Sequence, residues 1–291
     1  MLSIPYLEIP ITHVCNLHCD GCCYYANYNL PALTTADEVR ETCATWAPRI
    51  KPAMIKILGG EPTTHKQLPE IFLTIRKFFP ESHIQIITNG LQLEKAPMLP
   101  YLLTTPNSSL SLSLHSYEPS YITKMQKSFN TINGWIEKHG INVISSDNRL
   151  VWKRHYKGVG AEMRPFEDGD PKGAWKACPA RVCLVLAENK LWKCPQIASL
   201  HHVADKFGLH DVPEWKPYLA YEGIPATLSD EDLARRVKTG PESICGMCPV
   251  AAEHYEKDIH NIKFDLPGID RVERDGKLIH VEPEKVPEPA E

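Results

Sequence analysis

The hydrophobic positions of the first half of the chain switch repeatedly between two periods. Leu7, Ile9 and Ile11 interleave with Glu8 and Pro10, which predicts a strand over Tyr6 to Thr12. Thr35 and Glu38 form a capping-box pair, and Val39, Cys43, Trp46 and Ile50 follow at helical spacing. Met54 to Leu58 is a short apolar strand that ends in Gly59-Gly60. Leu68, Ile71, Phe72, Ile75 and Phe79 mark a helix stopped by Pro80. His83 to Thr88 is a strand ended by Asn89-Gly90, and Leu91 to Leu103 is assigned to a helix. Leu110, Leu112 and Leu114 alternate with Ser111, Ser113 and His115, which predicts a strand with one polar face. Ile122, Met125, Phe129, Ile132 and Ile136 step by three and four along an amphipathic helix, and Ile141 to Ile144 returns to a strand.

Strict strand–helix alternation implies parallel strands joined by helical crossovers, as an open sheet or a barrel. Chemistry on such sheets sits at the carboxyl ends of the strands. The unusual residues fall there: a cysteine-rich loop after the first strand, Gly59-Gly60-Glu61-Pro62 after the second, and Asn89-Gly90 after the third. The alternation stops near residue 165. Pro165 to Gly173 is expected to be a linker, and Val182 to Ala187 and Lys190 to Lys193 flank Glu188-Asn189 as a hairpin. Ser229 to Lys238 predicts a short helix, and Arg271 to Val281 a second hairpin around Asp275-Gly276. The Pro- and Glu-rich tail from Glu282 to Glu291 is expected to be disordered. The division is therefore 1–165, 166–260 and 261–291.

Length and charge narrow the classes. A chain of 291 residues with 43% apolar content can bury a substantial core. A net charge of −4 argues against a nucleic-acid partner. No apolar run can span a bilayer, and the first residues lack a basic n-region, so neither membrane nor secretion is expected and the assignment is cytoplasmic. Ten cysteines are many for such a chain, and they point to metal binding rather than to a disulfide scaffold.

Cys15, Cys19 and Cys22 give C-x3-C-x2-C. Three closely spaced thiolates suit a cubane with one iron left open; a zinc ion completed by His13 or His18 is the alternative. The loop, followed by Gly-Gly-Glu-Pro after the next strand, resembles the radical SAM (S-adenosylmethionine) superfamily. That resemblance implies a partial (β/α)6 barrel. It also implies a [4Fe-4S] cluster on Cys15, Cys19 and Cys22, whose open iron binds SAM. By the same resemblance Gly59, Gly60 and Glu61 line the methionine amino group, and Asn89 and Ser113 contact SAM. The glycines would let the ligand approach the backbone closely. Asn89-Gly90 has a second reading as a tight turn, and Ser113 as part of a solvated strand face. Gly21 stands where the family often carries an aromatic or apolar side chain near adenine, which shifts that expectation to the backbone or to another side chain such as Tyr24 or Tyr25.

Cys178, Cys194, Cys245 and Cys248 resemble the ligand set of a twitch domain, a shortened SPASM domain. The fold expected is thus α/β, with a small C-terminal α+β twitch-like Fe-S domain. Asn189 replaces the glycine of the family's hairpin turn, which asparagine tolerates because it enters the left-handed region readily. The four cysteines would hold one auxiliary [4Fe-4S] cluster, with structural zinc as the alternative. A helix is expected after the Cys245–Cys248 pair. Cys43 reads as core and Cys23 as incidental; Cys183 reads as core or as a hydrogen-atom donor. The run from Trp152 to Lys157 is basic and aromatic and reads as a solvated strand or a contact for an anionic group.

The expected activity is reductive SAM cleavage followed by hydrogen abstraction from a small polar substrate such as a sugar or aminocyclitol. Oxidation is the leading outcome, with epimerisation through Cys183 as a variant. A flavodoxin or ferredoxin would supply the electron. The alternatives are a maturase of ribosomal peptides, for which no leading peptide-binding module is expected here, and a zinc-stapled binding protein without activity.

Overall fold

The computed structural model describes residues 1–251, except 31, 117, 148–151, 154 and 179, together with 254–255, 273–274 and 277–278. The first five strands are β1 (Leu2–Thr12), β2 (Ile50–Gly59), β3 (His83–Thr88), β4 (Ser108–Leu114) and β5 (Val143–Asp147). They lie parallel in the order β5-β4-β3-β2-β1. The crossovers contain α1 (Ala36–Trp46), α2 (Leu68–Phe78), α3 (Leu99–Leu102) and α4 (Pro119–His139).

α1 starts as its capping box dictates. Thr35 Oγ1 accepts from the Glu38 amide at 3.2 Å, and Glu38 Oε2 accepts from the Thr35 amide at 2.7 Å. Val39, Cys43 and Trp46 are buried, but Ile50, expected on the same stripe, opens β2 instead. The helix expected over Leu91 to Leu103 is reduced to a 3-10 turn (Leu93–Lys95) and the single turn of α3. Pro97 is the cause. It pushes Ala96 out of helical geometry, to φ −118 and ψ 62.

β4 also differs from expectation. Every residue from Ser108 to Leu114 is buried, so its serine face looks into the molecule rather than into water. Ser109 takes part in that interior polar layer through His83 Nε2 at 2.7 Å.

Beyond residue 147 the described elements are β6 (Trp152–Lys153), α5 (Pro171–Ala177), β7 (Cys183–Ala187), β8 (Lys190–Trp192), α6 (Pro195–Phe207), α7 (Lys216–Leu219), β9 (Ile224–Pro225) and α8 (Asp230–Lys238). β7 pairs in parallel with β1 on the edge opposite β2, and β8 and β9 continue the sheet antiparallel. The resulting eight-stranded sheet is mostly parallel, with β1 inside it. The expected linker gives way to α5 because Asp170 caps the Gly173 amide at 2.9 Å and Pro171 occupies the first turn. The β7–β8 hairpin turns on Glu188 (φ 53) and Asn189 (φ 56), the doubly left-handed turn of a two-residue hairpin.

Two apolar cores result. One fills the space between the parallel strands and α1 to α4. The other centres on α6 and Trp215, and it takes in Tyr25 and Leu30 from the loop after β1. The second expected hairpin is present as the pairs Glu273–Leu278 and Arg274–Lys277. The tail from Glu282 and the turn at Asp275-Gly276 lie outside the described residues.

Candidate active site

β1 delivers the chain directly into the Cys15–Cys22 loop, and β2 ends against it. The Gly60 amide donates to Thr12 O at 2.6 Å, and the Glu61 amide to Val14 O at 2.9 Å. A Cβ on Gly59 would lie 2.3 Å from Thr12 O, and one on Gly60 2.1 Å from Val14 O. Gly59 has a φ of +131 as well. The glycine requirement therefore comes from contact between two backbones, not from ligand approach alone.

The Glu61 carboxylate is fully buried and joins the ends of β2 and β3. Oε1 accepts from the Thr63 amide at 3.0 Å and from the Thr63 and Thr88 hydroxyls, each at 2.6 Å. Oε2 accepts from the Asn89 amide at 2.8 Å. Burial pushes its pKa up, and these donors oppose that shift. Asn89 is both a turn residue and a strut. Its Oδ1 accepts from the Leu91 amide at 3.0 Å, and its Nδ2 donates to Asn16 Oδ1 at 2.7 Å. The Leu17 amide donates to Cys15 Sγ at 3.4 Å, and burial pushes that thiol up. Gly21 takes a left-handed φ of 65, which explains the missing side chain at that position.

Cys15, Cys19, Cys22, Gly59, Gly60, Glu61, Asn89 and Ser113 all line one cavity of about 170 Å³. The second cysteine set converges as well. Cys178 follows α5, Cys194 caps α6, and Cys245 and Cys248 lie in and just after a 3-10 turn (Ser243–Met247) that no helix follows among the described residues. All four, with Cys183, line a cavity of about 520 Å³. The two cavities share Cys23, Tyr24, Leu58, Ser113 and His115. Burial pushes Cys194 up to about 12 and raises Cys245 and Cys248, so these thiols stay protonated unless a metal holds them as thiolates.

Neither His13 nor His18 joins the loop cysteines in a group of three ligating atoms within 4.8 Å of one another among the described residues. His13 Nδ1 donates to Tyr24 O at 2.9 Å, and His18 Nδ1 to Asn27 O at 3.0 Å. A tetrahedral zinc ion would hold its sulfurs about 3.8 Å apart. Among the described residues, three ligating atoms within 4.8 Å of one another occur at one place, and it involves neither cysteine set. Among the described residues neither cysteine set brings three ligating atoms as close together as a single zinc ion requires. Tyr25, expected near adenine, is instead buried against Tyr156. Tyr24 does reach the cavities, with its hydroxyl donating to Glu8 Oε2 at 2.6 Å.

Comparison with known proteins decides the family question for the first half. The model of the Radical SAM superfamily matches residues 9–145. The chain carries a radical SAM domain. That domain implies a [4Fe-4S] cluster and SAM, and its span contains all three loop cysteines. Two curated relatives are both named GTP 3′,8-cyclase. The protein from Pasteurella multocida (strain Pm70) is 33% identical over 93 residues, 31% of this chain and 27% of its own. The one from Sulfolobus acidocaldarius, described as probable, is 26% identical over 159 residues, 53% of this chain and 49% of its own. The chain thus spans less than half the length of either relative. A crystal structure of BtrN with AdoMet and 2-DOIA aligns over 90% of this chain and 95% of its own, at 16% identity and a TM-score of 0.47. No helix among the described residues is long and apolar enough to cross a membrane.

Several residues beside the radical SAM loop and the second cysteine set carry no motif. His115 Nδ1 lies 3.9 Å from Cys19 Sγ, and His155 Nδ1 lies 3.8 Å from Cys248 Sγ. Gln196 Oε1 lies 3.6 Å from Cys194 Sγ and 3.7 Å from Cys248 Sγ. The strand alternation that names Ser111 and Ser113 reaches His115 and was the available signal for it. His155 and Gln196 have no such signal, because only tertiary packing brings them to the sulfurs.

Proposed function

We propose that this chain is a radical SAM enzyme with an auxiliary cluster, acting on a small polar substrate held between the two cysteine sets. The observation that carries the reading is the shared wall. The cavity beside Cys15, Cys19 and Cys22 adjoins the one lined by Cys178, Cys194, Cys245 and Cys248. When bound, the first cluster and SAM supply a 5′-deoxyadenosyl radical that takes a hydrogen atom from substrate. A second cluster held by Cys178, Cys194, Cys245 and Cys248 would supply an acceptor for the electron that remains, and with the hydroxyl proton passing to the Glu8 carboxylate the reaction would be an oxidation of an alcohol to a ketone. A flavodoxin or ferredoxin fits as the reductant.

The chain's own groups do the positioning. The Glu8 carboxylate, fixed by Tyr24, presents a negative group to substrate in the larger cavity, which suits an amine or a hydroxyl donor. Gln196 is 3% exposed, and its Nε2 has no partner among the described residues. Turning its amide over would give the Cys194 and Cys248 thiolates a donor in place of a repelling oxygen. A nucleoside triphosphate, the substrate class in the relatives' name, asks for available cations. Lys193 is already bound to Glu242 at 3.0 Å and to backbone carbonyls, and Arg181 donates to Lys176 O at 2.7 Å. That arrangement favours a smaller, uncharged or cationic substrate.

Iron content and SAM cleavage test the reading together. Anaerobically reconstituted protein should carry about eight irons per chain, and Cys245→Ala about four, with conversion of SAM to 5′-deoxyadenosine retained and substrate oxidation lost. Unchanged iron in Cys245→Ala, or zinc in place of the second cluster, would sink the auxiliary assignment.

Epimerisation is the second reading, and Cys183 favours it. Its thiol lines the larger cavity, and burial, with the neighbouring Glu8 carboxylate, pushes it up to about 11. It therefore carries its hydrogen at neutral pH, as a donor must. On this reading Cys183→Ser abolishes solvent deuterium incorporation into product and leaves both clusters in place. Full deuterium incorporation by that variant rules it out.

A further inference from the structure

Glu188, His201 and His202 bring one ligating atom each within 4.8 Å of one another. They lie outside both cysteine sets and play no part in the proposed chemistry. Glu188 Oε1 is 2.8 Å from His201 Nε2 and 3.4 Å from His202 Nε2. Consecutive residues of a helix do not ordinarily face each other. Here the rings converge to a centroid distance of 3.9 Å above the turn between β7 and β8. The turn itself is unusual, because Glu188 holds the left-handed region (φ 53) that a glycine would occupy without strain.

We propose that Glu188, His201 and His202 form a binding site for a divalent transition-metal ion of the zinc class. Two imidazoles and one carboxylate are a donor set suited to zinc, and they leave a fourth position for water. The edge of a tetrahedron with bonds of about 2.05 Å is about 3.3 Å, close to the Glu188–His202 separation. The oxygen and nitrogen donors separate this site from the sulfur-rich sets that suit iron, and the imidazoles favour zinc over calcium or magnesium. Binding requires each ring to turn a bare Nε2 to the metal and keep its proton on Nδ1, so a protonated ring releases one proton. Glu188 and His202 line a cleft of about 400 Å³, which His13, Glu41 and Ser199 also line.

The ion would act as a clip. It joins the β7–β8 turn to α6, and the same turn is already tied to α1 by Trp46 Nε1, which donates to Asn189 O at 3.2 Å. Cys183 begins β7 and Cys194 caps α6, so the clip braces β7 at its far end and α6 at its middle, both away from the larger cavity.

The test uses iron-loaded protein, so that the cysteines are occupied. After equilibration with buffered zinc and removal of free ion, the chain should retain about one zinc in addition to its iron. Zinc-edge X-ray absorption should give a nitrogen and oxygen shell at about 2.0–2.1 Å with imidazole scattering and no sulfur at about 2.3 Å. Glu188→Gln and His202→Gln should each weaken zinc retention at least about tenfold without changing iron content. No zinc above background, a sulfur shell, or zinc retained equally by both variants would overturn the site. If a variant also lost iron, the wild-type absorption spectrum alone would decide.

Discussion

Cys15, Cys19 and Cys22 belong to one loop, whose start is fixed by β1 and whose exit is buried through Tyr25 in the second core. Cys178, Cys194, Cys245 and Cys248 come from the end of one helix, the start of another and a 3-10 turn, with hairpin and helix between them. Both sets end beside an imidazole, His115 for the first and His155 for the second. The first geometry is written almost entirely in local sequence, and the second exists only once the surrounding elements have packed. The first set should therefore be removable without unfolding the chain, whereas the second is part of what holds its elements together.

The largest effect should come from Cys15, Cys19 and Cys22 changed together to Ala. Iron should fall to about four per chain and 5′-deoxyadenosine formation should vanish, with thermal unfolding almost unmoved. A drop in Tm as large as that from stripping the second set would break the contrast between them.

Gly60→Ala probes how the loop is seated. The added Cβ would sit 2.1 Å from Val14 O, so one backbone must shift, at a cost of roughly 1–3 kcal/mol. Denaturant unfolding should register that loss, and iron should be depleted at the first site only. A variant with wild-type stability and full iron would mean that the β2 end does not control the loop.

The smallest effect concerns the Glu188–His201 pair in metal-free protein. His201 holds Glu188 well below its ordinary 4.5, and Glu188 raises His201 above its ordinary 6.5. The carboxylate's contribution is present above 4.5 and is lost as pH falls through its lowered value. The imidazole's contribution is complete below 6.5 and is lost as pH rises through its raised value. Glu188→Gln should therefore destabilise most between about pH 4.5 and 6.5, by no more than about 1 kcal/mol for groups this exposed, and least once the pH has passed the raised His201 value. A loss that grows from pH 6 to pH 9 would contradict the pairing.

What could be read from the chain beforehand follows the same division. Period and capping located β1 to β4, α1, α2 and α4, because each is decided by residues within a few positions of one another. Apolar spacing alone predicts a helix at Leu91 to Leu103, and Pro97 overrides it through an effect on Ala96 that is equally local. The serines of β4 were legible as one face but not as an interior one, since burial depends on what covers the strand. Glu61 was expected at the ligand, yet its four donors come from β3 and the turn after β2, contacts that a motif does not encode. The parallel pairing of β7 with β1 had no signal at all, because sequence distance carries no information about which edge a strand will choose.

That pairing has a consequence for how the chain is made. Tyr6, Leu7 and Glu8 leave the ribosome well before their partners Cys183, Leu184 and Val185. Until then β1 presents an uncovered edge, rich in isoleucine and leucine, to any other nascent chain. Closing so long a loop is slow, because its entropic cost precedes the contacts that repay it. Refolding yield should therefore fall steeply with protein concentration, and the cysteine loop that β1 feeds is exposed to oxygen for as long as that edge stays open.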